Sequence, residues 1–497
     1  MVKRFTSKNT NIADSLFERG GARLISAKTL TQVNSMNTQL PASLREIVGG
    51  HNVLCGEALQ LRNNGFWDSS SPEALAIAMP ETTAQICEIL ALCHQLRQPV
   101  VIHGGLTGLT GAQRTSKQDL VISLEHMHRI TAFDGDGKTL TAEAGCTLQQ
   151  VQEYAAARGM LFSLDIGARS ACTIGGNIST NAGGMEVIRY GMMREQVLGL
   201  EAVLPDGTLL SSLNQMQKNN AGFDLKQLFI GSEGTLGIVT KAVLRLHPAP
   251  ATRETVLASC QSFRNVVQLL NRARADLAGT LTRFELMDGD YFRTQTAPGN
   301  HPPPMARDYN WYVLLEACGS DPRQDQERLE NWLAQMLACS TVADAVLARN
   351  QQQREALWQI REVFEAVIRE KPNFLYDVSL PIGEMESYIL QLRQEISKLW
   401  SNSHFYSMGH LGDGNLHFFV SPRQEEDYQT LKDTCDRIIY SPLAKLGGSV
   451  SAEHGIGIDK KPWLSASRTT VEIDLMRRLK LLFDPHNILN PRRVVDV

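Results

Sequence analysis

The chain has 497 residues, 43% of them hydrophobic, and carries 49 Lys and Arg against 53 Asp and Glu, a formal charge of −4. That near balance argues against a general nucleic-acid binder, and the length calls for more than one domain with a sizeable core. Nine cysteines without a CxxC pair argue against a disulfide framework and an iron–sulfur cluster, and point to a reducing compartment.

Residues 1–71 read as a helical lead-in. The first residues, Met1-Val2-Lys3-Arg4, are basic, but no apolar signal core follows, and Asp14 and Glu18 weaken a transit-peptide reading. No run approaches the ~20 apolar residues of a membrane span. A cytoplasmic location is expected, with peripheral contact at the inner membrane left open. Helical spacing over Leu30 to Ile47 stops at Gly49-Gly50. From 72 to 250 short strands and helices alternate. Ala76 to Met79 and Val100 to Ile102 are strand-like and enclose an amphipathic helix, Thr82 to Gln98. A second helix, Leu148 to Arg158, stops at Gly159, and Pro248-Ala249-Pro250 closes this part.

From 251 the pattern changes. Strand Thr255 to Ser259, helix Ser262 to Ala275 and strand Leu281 to Met287 are followed by a proline-rich loop. Strand Trp311 to Ala317, helix Asp325 to Ala338 and strand Asp344 to Ala348 repeat the order. Strand–helix–strand twice over predicts an antiparallel sheet with helices on one side. Arg354 to Ile368 reads as helical, and so do 427–446 and 468–483. Ser403 to Met408 and Leu416 to Val420 read as strands, with Asp413-Gly414 as a tight hairpin turn between them.

Two groups of residues carry chemistry. The segments Gly409 to Val420 and Ser451 to Gly457 hold His410, His417, Glu453 and His454. A hairpin folds His410 toward His417. Two imidazoles and a carboxylate suit an open site for a borderline divalent ion and leave one imidazole to move a proton. The plainer reading is a hairpin with two surface histidines. The second group is three glycine-rich loops, each beside an apolar run: His103 to Gly111, Ile174 to Gly184 and Phe229 to Val239. None is a dinucleotide fingerprint or a P-loop. Together they suit one large ligand with a pyrophosphate, because glycine lets backbone amides approach an anion.

These strings, GGLTGLTG, IGGNISTNAGG, FDLKQLFIGSEGTLGIVT, LWQIRE, YDVSLP, HLGDGNLH, SAEHGIG and FDPHNILNP, run in order over about 72–491. In them the chain resembles the FAD-linked oxidases of the vanillyl-alcohol oxidase fold, in the branch of D-lactate, glycolate and D-2-hydroxyglutarate dehydrogenases. The resemblance implies an α+β fold. A two-part FAD-binding domain would lie at 72–250, an antiparallel-sheet substrate and metal domain at 251–475, and a C-terminal return to the FAD domain at 476–497. It implies FAD held by Gly104, Gly105, Leu106, Thr107, Gly108, Thr110, Gly111, Gly175, Gly176, Asn177, Thr180, Asn181, Gly183, Gly184, Glu233, Gly237, Ile238 and Asn490. It places a zinc or manganese ion on His410, His417 and Glu453, the general base at His454, and a substrate-carboxylate arginine at Arg361. The plainer role of Arg361 is a pair with Glu365 on a solvated helix face.

Where the D-2-hydroxyglutarate enzymes have lysine, threonine and asparagine, this chain has Leu375, Glu365 and Phe419. Those changes favour a D-2-hydroxy monocarboxylate with an apolar or uncharged tail, lined by Phe419 and Leu375. His103 precedes its glycine pair, whereas covalent flavin attachment uses a histidine after it, so dissociable FAD is expected. Cys172 reads as packing, and Glu285 and Asp288 as structural hydrogen-bonding residues, with an approach to the site as the alternative. The electron acceptor is left open among quinone, cytochrome and electron-transfer flavoprotein, and a homodimer is allowed for. The competing readings are a flavin-free metal hydrolase, an inactive or sensing subunit of a glycolate-oxidase-type complex, and a non-redox synthase of the ether-lipid type.

Overall fold

A computed structural model describes residues 40–497 except Phe66, Ala278, Gln424 and Glu425. Residues 1–43 and 44–497 are separate units. Residues 40–43 of the first are helical. The rest of the N-terminal helical reading lies outside the described residues. In the second unit residues 44–48 are helical and stop at Gly49, whose φ of 87° suits glycine.

The first sheet contains β1 (Val53–Leu54), β2 (Ala76–Ala78), β3 (Val100–His103) and β4 (Leu120–Ser123), in the order β1-β2-β4-β3. β4 pairs in parallel with both β2 and β3. The crossover from β2 to β3 is the helix Thr83–Leu96, capped by Thr82 accepting from the Gln85 amide. The chain returns here at its end: Val100 exchanges backbone hydrogen bonds with Ile488 and Asn490.

The next strands are β5 (Ile130–Asp134), β6 (Thr139–Glu143), β7 (Met160–Leu161), β8 (Val197–Val203), β9 (Leu209–Ser212), β10 (Ile238–Arg245) and β11 (His247–Pro248). Five of them form an antiparallel sheet ordered β5-β6-β10-β8-β9, and β7 pairs with β11. Its core gathers Leu140, Phe162, Ile174, Ile178 and Phe229. The second glycine segment is not a loop throughout, because Ile174–Thr180 is a helix capped by Thr173, and both it and the third segment are anchored by buried apolar neighbours.

The third sheet is antiparallel throughout. It contains β12 (Thr252–Cys260), β13 (Leu281–Asp288), β14 (Trp311–Gly319), β15 (Asp344–Leu347), β16 (Phe374–Ser379), β17 (His404–Gly409) and β18 (Asn415–Ser421), ordered β15-β12-β14-β13-β17-β18-β16. Alternation along each strand divides its two faces. Phe284, Leu286, Leu416, Phe418 and Val420 pack against the helices Phe263–Asp276, Pro322–Ala338, Ile382–Leu399 and Tyr428–Tyr440. The alternate residues Glu285, Met287, His417 and Phe419 lie on the opposite face. There a second apolar cluster includes the shorter helices Gly289–Gln295 and Gln351–Glu362.

Three further local readings change. The helix carrying Arg361 ends at Glu362, where Val363 turns extended, so residues 364–368 are not helical and Glu365 is not one helical turn beyond Arg361. The 427–446 segment is two helices, Tyr428–Tyr440 and Leu443–Leu446, parted at Pro442, which cannot continue an i to i−4 ladder. The β17–β18 connection is not a two-residue turn. It is a 3-10 turn, Leu411–Asp413, closed by Gly414 at φ 87°.

Candidate active site

His410 follows β17 at the mouth of this turn, and His417 stands on β18, opposite Met408 in the ladder. The connection brings the two rings to 5.2 Å between centroids, edge to face. Glu453 and His454 arrive from the loop after Leu443–Leu446. Glu453 Oε1 lies 3.8 Å from His410 Nε2, 3.4 Å from His417 Nε2 and 3.7 Å from His454 Nε2. Ligand atoms of His410, His417 and Glu453 all fall within 4.8 Å of one another. His410 and His417 are buried, not the surface pair of the plainer reading.

Two buried carboxylates hold this group. Glu285 on β13 accepts from His410 Nδ1 at 2.8 Å, and its other oxygen lies 2.8 Å from Arg361 Nη2. The contact fixes Nδ1–H of His410 on Glu285 and turns Nε2 toward Glu453. Burial pushes His410 down, but the Glu285 carboxylate outweighs it and holds the imidazole up at about 9. His417 has no such partner, and burial holds it well below the ordinary histidine value. Burial also pushes Glu453 up to about 7. A buried carboxylate beside two imidazole nitrogens is a donor set that suits a divalent cation.

Asp377 on β16 is the second brace. Its Oδ2 accepts from the backbone amides of Ala452, Glu453 and His454 at 3.0–3.1 Å and from the Ser451 hydroxyl at 3.2 Å. Asn415 donates to Oδ1 at 2.8 Å, and Lys460 Nζ lies 3.5 Å from Oδ2. His454 turns Nδ1 toward Asp377 at 3.7 Å and Nε2 toward Glu453. Although Asp377 pulls the other way, burial pushes His454 down to about 4, so it is unprotonated at neutral pH rather than poised near its ordinary value. Neither Asp377 nor Lys460 stood out in the sequence. The available signal was a charged residue inside an apolar strand, since a buried charge needs a partner.

The glycine loops converge beside this centre. A Cβ on Gly105 would lie 2.0 Å from the Ala171 carbonyl oxygen, and one on Gly104 would lie 2.7 Å from Thr173 Oγ1, so the first loop packs directly on the second. Gly175, Gly184 and Gly237 are crowded in the same way, against Ala144, Asp165 and Phe229. The Gly231 and Glu233 amides donate to Ile178 and Ser179, joining the third loop to the second. Thr110 O accepts from the Ile458 and Asp459 amides, and a Cβ on Gly183 would lie 3.3 Å from Glu453 Oε2. A Cβ on Gly108 would meet only Gln113 Oε1, at 3.7 Å, whereas the Gly176 amide is taken by Thr173 Oγ1 at the start of its helix. Glycine segments that converge in this way suit the close approach of an anionic dinucleotide.

Several side chains singled out for the cofactor are engaged inside the protein. Glu233 accepts from the Ile456 and Gly457 amides, and Asn490 ties Ile102 N to Glu233 O. Asn177 reaches Cys172 Sγ, Asn181 accepts from the Arg194 amide, and Thr180 donates to Gly176 O. Leu106 and Asn181 have positive φ, Gly111 turns at φ 71°, Thr107 is half-buried, and Ile238 opens β10 in the core. These residues shape the loops. Cys172 is core packing, and His103 is a buried strand end bonded to Gln113 O at 2.9 Å.

Arg361 is buried and paired with Glu285, whereas Glu365 is exposed, so the Arg361–Glu365 surface pair does not form. Phe419 lies opposite Leu375 in the β16–β18 ladder and packs against Phe364 and Tyr291, with ring centroids 5.6 and 6.4 Å away. Asp288, by contrast, caps the helix Gly289–Gln295 and pairs with Arg393.

Residues 74–212 match the FAD binding domain model, and residues 249–494 match the C-terminal domain of FAD linked oxidases. The mitochondrial D-2-hydroxyglutarate dehydrogenase of Bos taurus is 37% identical, over 91% of this chain and 83% of its own length. The chain belongs to the FAD-linked oxidase family. The enzyme of the same name in Arabidopsis thaliana, also mitochondrial, is 35% identical over 95% of this chain and 84% of its own length. The solved structure of substrate-bound p-cresol methylhydroxylase superposes with a TM-score of 0.72 at 16% identity, covering 92% of this chain and 97% of that one, which shows the shared vanillyl-alcohol-oxidase-type fold. This member of the FAD-linked oxidases is thus an FAD-binding oxidoreductase. The expected cytoplasmic location is overturned by the mitochondrial relatives. Among the described residues no helix is long and apolar enough to cross a membrane.

Proposed function

We propose that this oxidoreductase oxidises a D-2-hydroxy acid, preferentially a monocarboxylate of the D-lactate type, to the 2-oxo acid. The observation that carries the reading is one sheet face on which Glu285 joins Arg361 to His410, with the apolar Phe419–Leu375 pair on the same face. Arg361 has a buried, unpartnered Nε–H in addition to the nitrogen facing Glu285, and this donor suits the substrate carboxylate. The Asp377 carboxylate favours the Nδ1–H tautomer of His454, leaving Nε2 to take the hydroxyl proton. His410, His417 and Glu453 would hold the divalent ion, zinc or manganese, and the glycine loops would hold dissociable FAD. When bound, the ion makes the hydroxyl more acidic and the flavin accepts the hydride that leaves C2. The apolar tail wall excludes water from the reacting carbon and gives a second carboxylate no partner. The functional division into 72–250, 251–475 and 476–497 belongs to the same reading, with the electron acceptor a quinone, a cytochrome or an electron-transfer flavoprotein.

A second reading, D-2-hydroxyglutarate as substrate, is favoured by the names of the relatives. Anaerobic bleaching of the flavin and kcat/KM with an artificial acceptor, across a panel of D-2-hydroxy acids, decide between them. D-lactate or a longer D-2-hydroxy monocarboxylate is expected to exceed D-2-hydroxyglutarate, with L enantiomers poor. A clear preference for D-2-hydroxyglutarate or D-malate overturns the monocarboxylate reading. Turnover by metal-free protein overturns the role of the ion.

A further inference from the structure

Arg361 is the penultimate residue of the helix Gln351–Glu362, where a helix leaves its last carbonyls without amide partners. Two fully buried side chains from the helix Gly289–Gln295 take them instead. The Tyr291 hydroxyl donates to Arg361 O at 2.9 Å. Gln295 Nε2 donates to Ile360 O at 2.9 Å and to Val363 O. Tyr291 and Gln295 are one helical turn apart, so they share a face of their helix. Asp288 caps that helix, and Phe292 anchors it by stacking on Tyr312 with ring centroids 3.7 Å apart.

This cap decides which residue follows Arg361 onto the site face. Had the helix continued, Glu365 would share the face of Arg361 one turn on. Instead the chain turns extended at Val363, whose carbonyl Gln295 holds. Glu365 is exposed, and Phe364 is half-buried with its ring centroid 5.6 Å from that of Phe419. The turn therefore sends a charge to solvent and an aromatic ring to the Phe419–Leu375 wall. Given Arg361 as the carboxylate anchor of the proposed reaction, we propose that Tyr291 and Gln295 are positioning residues for the hydroxy acid. They hold Arg361 on Glu285 through its backbone, and the turn they set makes Phe364 a specificity residue for the substrate tail. Arg361 meets the carboxylate in the bound substrate and in the transition state alike, so its alignment acts on KM rather than on kcat.

The test is steady-state kinetics of the flavin- and metal-loaded full chain with an artificial acceptor, for D-lactate, D-2-hydroxyvalerate and D-2-hydroxyglutarate. The variants are Tyr291→Phe, Gln295→Met, the two combined, and Phe364→Ala. The combined variant should raise KM for D-lactate about tenfold, with kcat, bound FAD and metal content unchanged, the pattern of lost uniform binding. Each single variant should give part of that rise, about threefold, and carries the comparison if the combined variant does not fold. Phe364→Ala, which spares the cap, should lower kcat/KM for D-2-hydroxyvalerate relative to D-lactate by about tenfold, the worth of a methylene or more in an apolar pocket. An unchanged KM in the cap variants overturns the proposal. So does a joint loss of kcat, FAD and metal, which is what a contact with a structural role alone gives. A ratio between the two monocarboxylates that Phe364→Ala leaves unmoved overturns the role of Phe364 at the tail. A wild type that prefers D-2-hydroxyglutarate overturns the monocarboxylate reading alone, and the cap is then judged on that substrate by the same KM ratio.

Discussion

Glu285 and Asp377 decide what the imidazoles near them do. Each is a fully buried carboxylate whose partners come from distant parts of the chain. Removing the Glu285 charge frees His410 to change tautomer and leaves Arg361 without its ion pair. Glu285→Gln is expected to weaken divalent-metal affinity about 10–100-fold, as loss of a carboxylate behind a metal-binding histidine does, and to lower kcat/KM with it. Metal content by elemental analysis and activity against free-metal concentration check this, and unchanged affinity would remove Glu285 from the site. His454 is expected to behave differently. His454→Ala should slow anaerobic flavin reduction by about 10²–10⁴-fold, the range for a lost general base, while metal and flavin stay bound. A fall in metal content with no change in the rate of the metal-loaded protein would make His454 a ligand instead.

At the scale of the loops, the glycines divide into two kinds. Gly105 is glycine because the Ala171 carbonyl occupies the space of a Cβ, whereas the nearest neighbour of a Cβ on Gly108 is Gln113 Oε1 at 3.7 Å. Gly105→Ala should therefore separate the first two loops, costing about 1–3 kcal/mol and most of the bound FAD. Gly108→Ala should keep the melting temperature of the apoprotein and weaken FAD alone. Thermal melts of the apoprotein and flavin titrations distinguish the two. Equal effects of both variants would mean that Gly108 packs rather than lines the FAD site. The elements themselves follow local rules closely. Thr82, Ser262 and Thr469 cap their helices as a Ser/Thr signal predicts, and Gly159 turns at φ 69° after the Leu148–Ala156 helix. The helix carrying Arg361 escaped this reading because its apolar spacing continues past Glu362, while the chain turns extended at Val363.

For the molecule as a whole, buried histidines tie stability to pH. Burial pushes His103 down to about 4 while its Nε2–H donates to Gln113 O. The unfolded chain takes up a proton near pH ~6.5, and the folded chain refuses it until about 4. The unfolded state therefore binds more protons in that window, and stability falls as pH drops through it, by up to about 3 kcal/mol from this residue. Urea midpoints at pH 7 and pH 5 should show a smaller acid loss for His103→Gln, which keeps a donor for Gln113 O. Equal losses in both proteins would place the acid sensitivity elsewhere.

What the sequence determined by itself was local. Glycine strings, the spacing of His410 and His417, and the adjacency of Glu453 and His454 are properties of short segments. They sufficed for the fold class and for naming the glycine segments and the candidate metal set. The positions that orient these groups were decided only by tertiary structure. Glu285 meets His410 across 125 residues, and Asp377 meets the His454 amide across 77. Strand alternation turns both acids to the same sheet face as His417, but no local propensity states which strands are neighbours. The ladder β13-β17-β18-β16 states it, because burying a charge is tolerated only where the fold delivers its partner.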